Sequence, residues 1–265
     1  MHANEKSKSS NKQMINRRLC LKQINLQMIE YAIEPRIIFE DSSFFVVEKP
    51  TGWITNEADT TTTQSVLQTW IRTNHQSQVT NHPEFRDGIV HRLDKETSGI
   101  LLVAKTKEAF TKLQEEFKDR EVQKTYTALL HGRVEREGKV DVPIGRLPWR
   151  RDRFGVLNGG RESVSEYKVV EFYPEERGGY SLVEFYPKTG RTHQIRVHAK
   201  HIGHAVVADE FYAGRKTARN DRIWCPRLFL HASAIKFTHP STGKEVEFKS
   251  DLPPDLQKVL NEISK

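Results

Sequence analysis

The chain has 265 residues, 36% of them hydrophobic, enough for one large domain or two small ones. Lys and Arg number 42 against 35 acids, and the resulting +7 suits a polyanionic partner, although many soluble proteins share such an excess. No apolar run approaches the roughly 20 residues needed to cross a bilayer and none forms a secretory leader, and two distant cysteines, Cys20 and Cys225, argue against a disulfide scaffold; the expectation is a cytoplasmic, monomeric protein with no membrane partner.

Residues 1–32 are rich in Ser, Asn, Gln and Lys and show no period. Lys6, Lys8, Lys12, Arg17, Arg18 and Lys22 stand against Glu5 and Glu30 there. They read as a basic, disordered arm ahead of a domain over 33–265. "RIIFEDSSFFVVEKP" reads as strands Ile37–Glu40 and Phe44–Glu48 around an Asp-Ser-Ser turn, and "KPTGW" as a further turn. Thr63–Arg72 has the pattern of a short helix. Ile100–Ala104 is a continuous apolar run after Gly99, which predicts a buried strand. Thr106 then caps a helix whose stripe is Phe110, Leu113 and Phe117.

Strand character returns at Lys124–Leu130, Ser163–Phe172, Tyr180–Tyr186, Leu228–Phe237 and Glu245–Lys249. "GRLPWRRDRFG", Gly145–Gly155, reads as a loop. Thr192–Ile202 reads as a helix with Ile195, Ala199 and Ile202 on one face and His193, Arg196 and Lys200 on another. After Pro253-Pro254, a last helix buries Leu256, Val259, Leu260 and Ile263. No solenoid repeat occurs. Many strands with few helices predict a mixed, largely antiparallel α/β (α+β) domain with flanking helices.

Four stretches carry candidate chemistry. In "HRLDKETSGILLVAK", Asp94 sits in a polar turn before the buried strand, where a carboxylate is held rigidly and stays reachable. Arg92 and Lys95 would keep it ionised; a plain surface ion pair is the alternative. "KTGRTHQIRVH" gathers Arg191, His193 and Arg196 near a helix start, an arrangement suited to a phosphate, to a buried Asp that needs a partner, or to simple solvation. The arginine loop places Arg146, Arg150, Arg151 and Arg153 among Trp149 and Phe154, which suits a phosphate backbone and exposed bases, or a solvated hairpin tip. His193, His198, His201 and His204 lie close together, but no HExxH or cysteine pair completes a zinc set, so no metal is expected. The tetrapeptide "HIGH", His201–His204, matches one class of aminoacyl-tRNA synthetases, without the second lysine-rich signature or a βαβ series that such an enzyme needs. With no GxGxxG or P-loop, no nucleotide cofactor is expected.

Beyond these local readings, "HRLDKETSGILLVAK" resembles the signature of the RluA-type pseudouridine synthases. "EKPTGW", "KTYTALLHG", "PIGR", "TGRTHQIRVHAKHIGHAVVAD" and "RLFLHASAIKFTHPSTG" resemble further blocks of that family in the same order. The resemblance implies the pseudouridine synthase catalytic fold and an isomerase that turns uridines of ribosomal or transfer RNA into pseudouridine without a cofactor. It implies Asp94 as catalytic aspartate, Tyr126 as the ring against the target uracil, and Arg196 as partner of the aspartate. It also implies Leu228 or Leu230 lining the pocket and Arg92 contacting RNA around the flipped nucleotide; on their local chemistry, Arg191, His193, Arg146 and Arg150 are expected as further substrate contacts. Two departures leave the choice of RNA open. Many relatives carry a small RNA-binding domain where this chain has about 32 residues, and the arginine loop is less regular than the family pattern. Two rivals remain: an RNA-binding protein that keeps the fold without activity, and a glycoside or nucleoside hydrolase, which needs a second carboxylate.

Overall fold

Period-two alternation builds the first half of the molecule. The computed structural model describes residues 33–58, 61, 64–174 and 179–265, less the side chain of Arg151. The basic arm expected at 1–32 lies outside these residues. Strands β1 (Arg36–Glu40), β2 (Phe44–Lys49) and β3 (Ser98–Ala104) pair antiparallel in turn. On β2 and β3, Phe44, Val46, Ile100, Leu102 and Ala104 share one face with Phe110 and Leu113 of helix α2 (Lys107–Lys118). Phe45, Val47, Leu101 and Val103 share the other with Leu67 and Ile71 of helix α1 (Leu67–Asn74). Burial on both faces is why β3 reads as a continuous apolar run. Thr106 caps α2 by accepting from the Ala109 N–H at 3.1 Å, as expected. Leu113 is fully buried at the centre of this layer, so Leu113→Ala would cost about 2–5 kcal/mol.

The second half continues one nine-stranded sheet, ordered β1-β2-β3-β10-β4-β9-β8-β5, with β11 paired to β10. Its strands are β4 (Gln123–His131), β5 (Gly138–Asp141), β8 (Val164–Tyr173), β9 (Tyr180–Pro187), β10 (Leu230–Thr238) and β11 (Glu245–Lys249). One edge of β10 pairs with β4. Along the other, β3 takes His231 and Ala232 in parallel register, and β11 takes Ala234 to Thr238. The β3–β10 contact depends on Gly99: at φ +118°, a Cβ there would lie 2.3 Å from the Ala232 carbonyl oxygen. Helix α3 (Gln194–His201) buries Ile195 and Ala199 against β4 and β9, and helix α5 (Pro254–Ile263) buries Leu256, Val259 and Leu260 beside Leu129 and Phe229. The mixed, largely antiparallel class read from the sequence is the one observed.

Several boundaries differ from expectation. Helix α1 begins at Leu67 rather than Thr63, with Val66 as an uncapped N-cap in extended conformation. Helix α3 begins at Gln194 because His193 is left-handed, at φ 57° and ψ 20°. The last long strand starts at Leu230, two residues later than its apolar run. The arginine loop is a hairpin of strands β6 (Ile144–Leu147) and β7 (Arg150–Val156), with its turn at Pro148-Trp149. Strand β5 and helix α4 (Arg215–Asp221) were not legible, since each carries one buried apolar residue, Val140 and Ala218. "HIGH" is a helix ending: Gly203 N–H donates to the Lys200 carbonyl and His204 N–H to that of Ala199, the paired bonds of a glycine stop. No described helix is long and apolar enough to cross a membrane.

Candidate active site

The turn that carries Asp94 is fastened at each carbonyl from Leu93 to Glu96. Thr97 N–H closes it onto the Asp94 carbonyl at 3.1 Å. Gly52 N–H reaches the Lys95 carbonyl at 2.8 Å, and the Thr51 hydroxyl donates to the Glu96 carbonyl at 2.9 Å. On the other side, the Thr55 hydroxyl donates to the Leu93 carbonyl at 2.8 Å and accepts the Leu93 N–H at 3.2 Å. Upstream, His91 Nε2 accepts the Leu102 N–H of β3 at 2.9 Å while its ring stacks on Phe117. The Lys-Pro-Thr-Gly-Trp turn is therefore the clamp of the Asp94 turn. Lys49, fully buried, donates to the Pro50 and Trp53 carbonyls at 3.0 and 2.9 Å and approaches that of Lys95 at 3.4 Å. Burial lowers its pKa to about 7, with the Asp94 charge acting in the opposite sense.

Asp94 faces Arg196 and His193 across the sheet end. Its Oδ2 lies 3.7 Å from Nη1 of Arg196 and 3.9 Å from Nε2 of His193, and its side chain keeps 18% of its surface exposed. Arg196 reaches Asp94, but its two-point partner is Asp209: Nε and Nη2 bond the two carboxylate oxygens at 2.7 and 2.8 Å. Asp209, itself fully buried, also accepts the Phe211 and Tyr212 N–H groups at 2.9 and 3.0 Å. The Phe211 and Tyr212 rings sit 5.2 and 5.1 Å from the Arg196 guanidinium. Burial works against the Arg196 cation, but the bonds and charge of Asp209, with Asp94 adding to them, hold its pKa above the usual value. Of the three readings open for this basic cluster, Arg196 takes the one that partners a buried Asp, and it is 2% exposed.

His193 links these parts. Its Nδ1 is hydrogen-bonded to the Tyr212 hydroxyl at 2.9 Å, and its ring stacks on Phe211. Burial lowers its pKa, partly offset by Asp94 and reinforced by Arg196 and Arg92. The other three clustered histidines go elsewhere. His204 bonds the His131 carbonyl, His198 is buried, and His201 is exposed. Among the described residues, no three His, Cys, Asp or Glu side chains converge on a metal-sized site.

Tyr126, half-buried on β4, packs on the Leu93–Ala232 layer and on the core that contains Leu228 and Leu230. Burial, and then the Asp94 charge, raise its pKa, so its hydroxyl stays protonated at neutral pH. Leu228 and Leu230 are 0% and 3% exposed; they back Tyr126 rather than forming an open wall. Arg92 is exposed, with its charge acting on His193, while Lys95 turns away to Gln64 at 2.7 Å. Arg191 donates to the Glu162 carbonyl at 2.9 Å, so its contact lies just ahead of β8 and not at Asp94. Arg146 and Arg150 are exposed on the hairpin, Arg146 stacked on Phe154 at 5.1 Å. Sequence reasoning missed Asp209, Phe211, Tyr212 and Lys49. The available signals were an acid and two aromatics shortly after the Arg196 helix, and a lysine at the end of an otherwise apolar strand.

The sheet end thus carries a clamped, partly exposed carboxylate opposite a buried arginine. Comparison with known proteins supplies the class. Residues 43–201 match the family model described as RNA pseudouridylate synthase. The chain is 37% identical over 236 residues to ribosomal large subunit pseudouridine synthase D of Nitrosomonas europaea, covering 88% of this chain and 66% of that protein. It is 36% identical over 237 residues to the protein of the same name from Pseudomonas aeruginosa, covering 86% of this chain and 72% of that one. Among solved structures, human RNA pseudouridylate synthase domain containing 1 superimposes with a TM-score of 0.66 at 28% identity, over 85% of this chain and 87% of that one. The chain belongs to the RNA pseudouridylate synthase family. Its curated relatives are named as pseudouridine synthases, which are isomerases.

Proposed function

We propose that the protein isomerises uridine to pseudouridine in ribosomal RNA, in the cytoplasm and as a monomer, with transfer RNA as the alternative substrate. The carrying observation is Asp94: a partly exposed carboxylate on a turn clamped from both sides, 3.7 Å from a buried arginine and within electrostatic reach of Tyr126. The relatives' names support the ribosomal target.

The reaction breaks the bond between C1′ and uracil N1, turns the base, and joins C1′ to C5. N1 gains a proton and C5 loses one, so there is no net redox change and no energy input. We assign Asp94 to the sugar, as nucleophile at C1′ or as base toward the 2′-hydrogen. Arg196, held by Asp209, offers it a fixed cation. Tyr126 supplies a flat wall for a uracil taken out of the stack, and Arg92, on the exposed rim, fills the gap the base leaves. Arg146, Arg150, Arg191, His193 and the basic residues of 1–32 add contacts to the RNA, the last as an arm ahead of a catalytic domain over 33–265. A hydrolase would need a second, accessible acid; Asp209 is fully buried on Arg196, and Glu96 is paired with Arg222 at 2.8 Å. Mapping pseudouridine in cellular RNA with and without the gene tests the proposal. The expected result is loss of specific ribosomal positions, and an unchanged map of both ribosomal and transfer RNA would overturn it.

A further inference from the structure

We propose that the groove between the β6–β7 hairpin and helix α3 is a second nucleotide subsite, which takes an unpaired nucleotide near the target uridine. This rests on the reading of the substrate as RNA. The groove encloses about 590 Å³, within the usual size for a small-ligand site. Trp149, at the hairpin turn, lines it with 73% of its surface exposed. Arg150 and Arg153 line it from the hairpin, and Lys200 and His201 from α3. No acidic side chain lines it among the described residues.

The chemistry selects the occupant. Arg153 is paired with Asp152 at 3.7 Å, but an apolar partner would leave the Arg150 guanidinium and the Lys200 ammonium without counter-charges. A nucleotide offers a planar base for the indole and a phosphate for Arg150 or Lys200. An exposed indole between cations, away from the folded core, has no packing role to explain it. The groove is also built on firm ground. Arg153 donates to the Phe211 carbonyl at 2.6 Å and lies 5.1 Å from its ring, and Phe154 N–H reaches the Tyr212 hydroxyl at 3.3 Å. Phe211 and Tyr212 both line the groove, and the same rings carry Arg196 and His193. A nucleotide in the groove would therefore rest on the same pair of rings that positions Arg196 and His193 opposite Asp94, and so set the spacing between the target and its neighbour.

Fluorescence titration of the full chain with a short oligouridylate tests this, since Trp149 is one of four tryptophans and contributes its own quenching signal. Wild type and Asp94→Asn should be quenched alike, and Trp149→Phe should lose that component. Trp149→Ala and Lys200→Glu should each bind the oligonucleotide about tenfold more weakly, the scale of one lost stacking or phosphate contact. Turnover on ribosomal RNA should show the same rise in KM with kcat retained. Quenching of undiminished amplitude in Trp149→Phe, wild-type affinity in both groove variants, or equal quenching by polyglutamate would each overturn the subsite. If the wild type forms no pseudouridine, the proposed function fails while the quenching still reports on the groove. If turnover is normal and unaffected by either variant, the groove fails and the function stands.

Discussion

Replacing Asp209 by Asn separates the two aspartates that share Arg196. Asp209 is fully buried and accepts four hydrogen bonds, two from Arg196 and two from the Phe211 and Tyr212 backbone. Asn keeps the shape and one acceptor oxygen, but it removes the charge and turns an amide donor toward one of those groups. The Arg196 guanidinium, 2% exposed, is then a buried cation without its two-point partner. Breaking one side of a buried pair costs about 3–5 kcal/mol, and in a domain this size each kcal/mol moves the midpoint by roughly 2–4 °C, so Tm should fall by about 6–20 °C. Asp94→Asn removes contacts of only 3.7 and 3.9 Å at a partly exposed carboxylate, so its stability should stay within about 1 kcal/mol of wild type. Scanning calorimetry, with turnover measured on the same samples well below Tm, gives both readouts. Asp209→Asn should lose stability and turnover together; Asp94→Asn should lose turnover alone. A Tm for Asp209→Asn within a degree or two of wild type would refute the assignment of Asp209 as the anchor of Arg196.

The clamp makes further tests available. Lys49 has a folded pKa of about 7 against an ordinary 10.5, so the unfolded chain holds the extra proton between these values. Wild-type stability should therefore rise with pH across that window relative to Lys49→Met, and parallel denaturation curves at both ends would contradict it. His91→Ala orphans the Leu102 N–H and should cost roughly 1–3 kcal/mol, whereas His91→Gln, which restores an acceptor, should recover part of that in urea titrations. Burial lowers the His91 pKa to about 3 from 6.5, so its contribution is present above 6.5 and is lost as pH falls toward 3. Tyr126→Phe should bind RNA as wild type does, and Tyr126→Ala should lose roughly 1–3 kcal/mol of stacking; equal affinity of all three in filter binding would remove Tyr126 from the pocket.

The parts of the molecule that speak through period were readable. Strand β3 and the α5 stripe follow from apolar spacing and the Thr106 cap from its residue type, and they appear where expected. What failed has a common physical cause: it depends on partners distant in sequence. Nothing local says that Arg196 is buried, because its partner Asp209 arrives from a later loop, and His193 breaks the helix start by bonding Tyr212. Lys49 reads as a surface lysine ending a strand until the carbonyls of Pro50, Trp53 and Lys95 close around it. The arginine hairpin, read as a loop because of its glycines and proline, is ordered through Arg153 and Phe154 against Phe211 and Tyr212. The Asp94 turn was legible because its sequence is contiguous, and the clamp beneath it was legible only as an isolated turn.

The most direct test is tritium release from ribosomal RNA labelled at uracil C5, comparing purified wild type with Asp94→Asn after both have been shown to fold and bind the RNA. Joining C1′ to C5 expels the C5 hydrogen, so wild type should release label in step with pseudouridine formed, and Asp94→Asn should release none above background. Comparable release from the variant, or none from the wild type on ribosomal or transfer RNA, would contradict the assignment of Asp94 as the group that acts on the sugar.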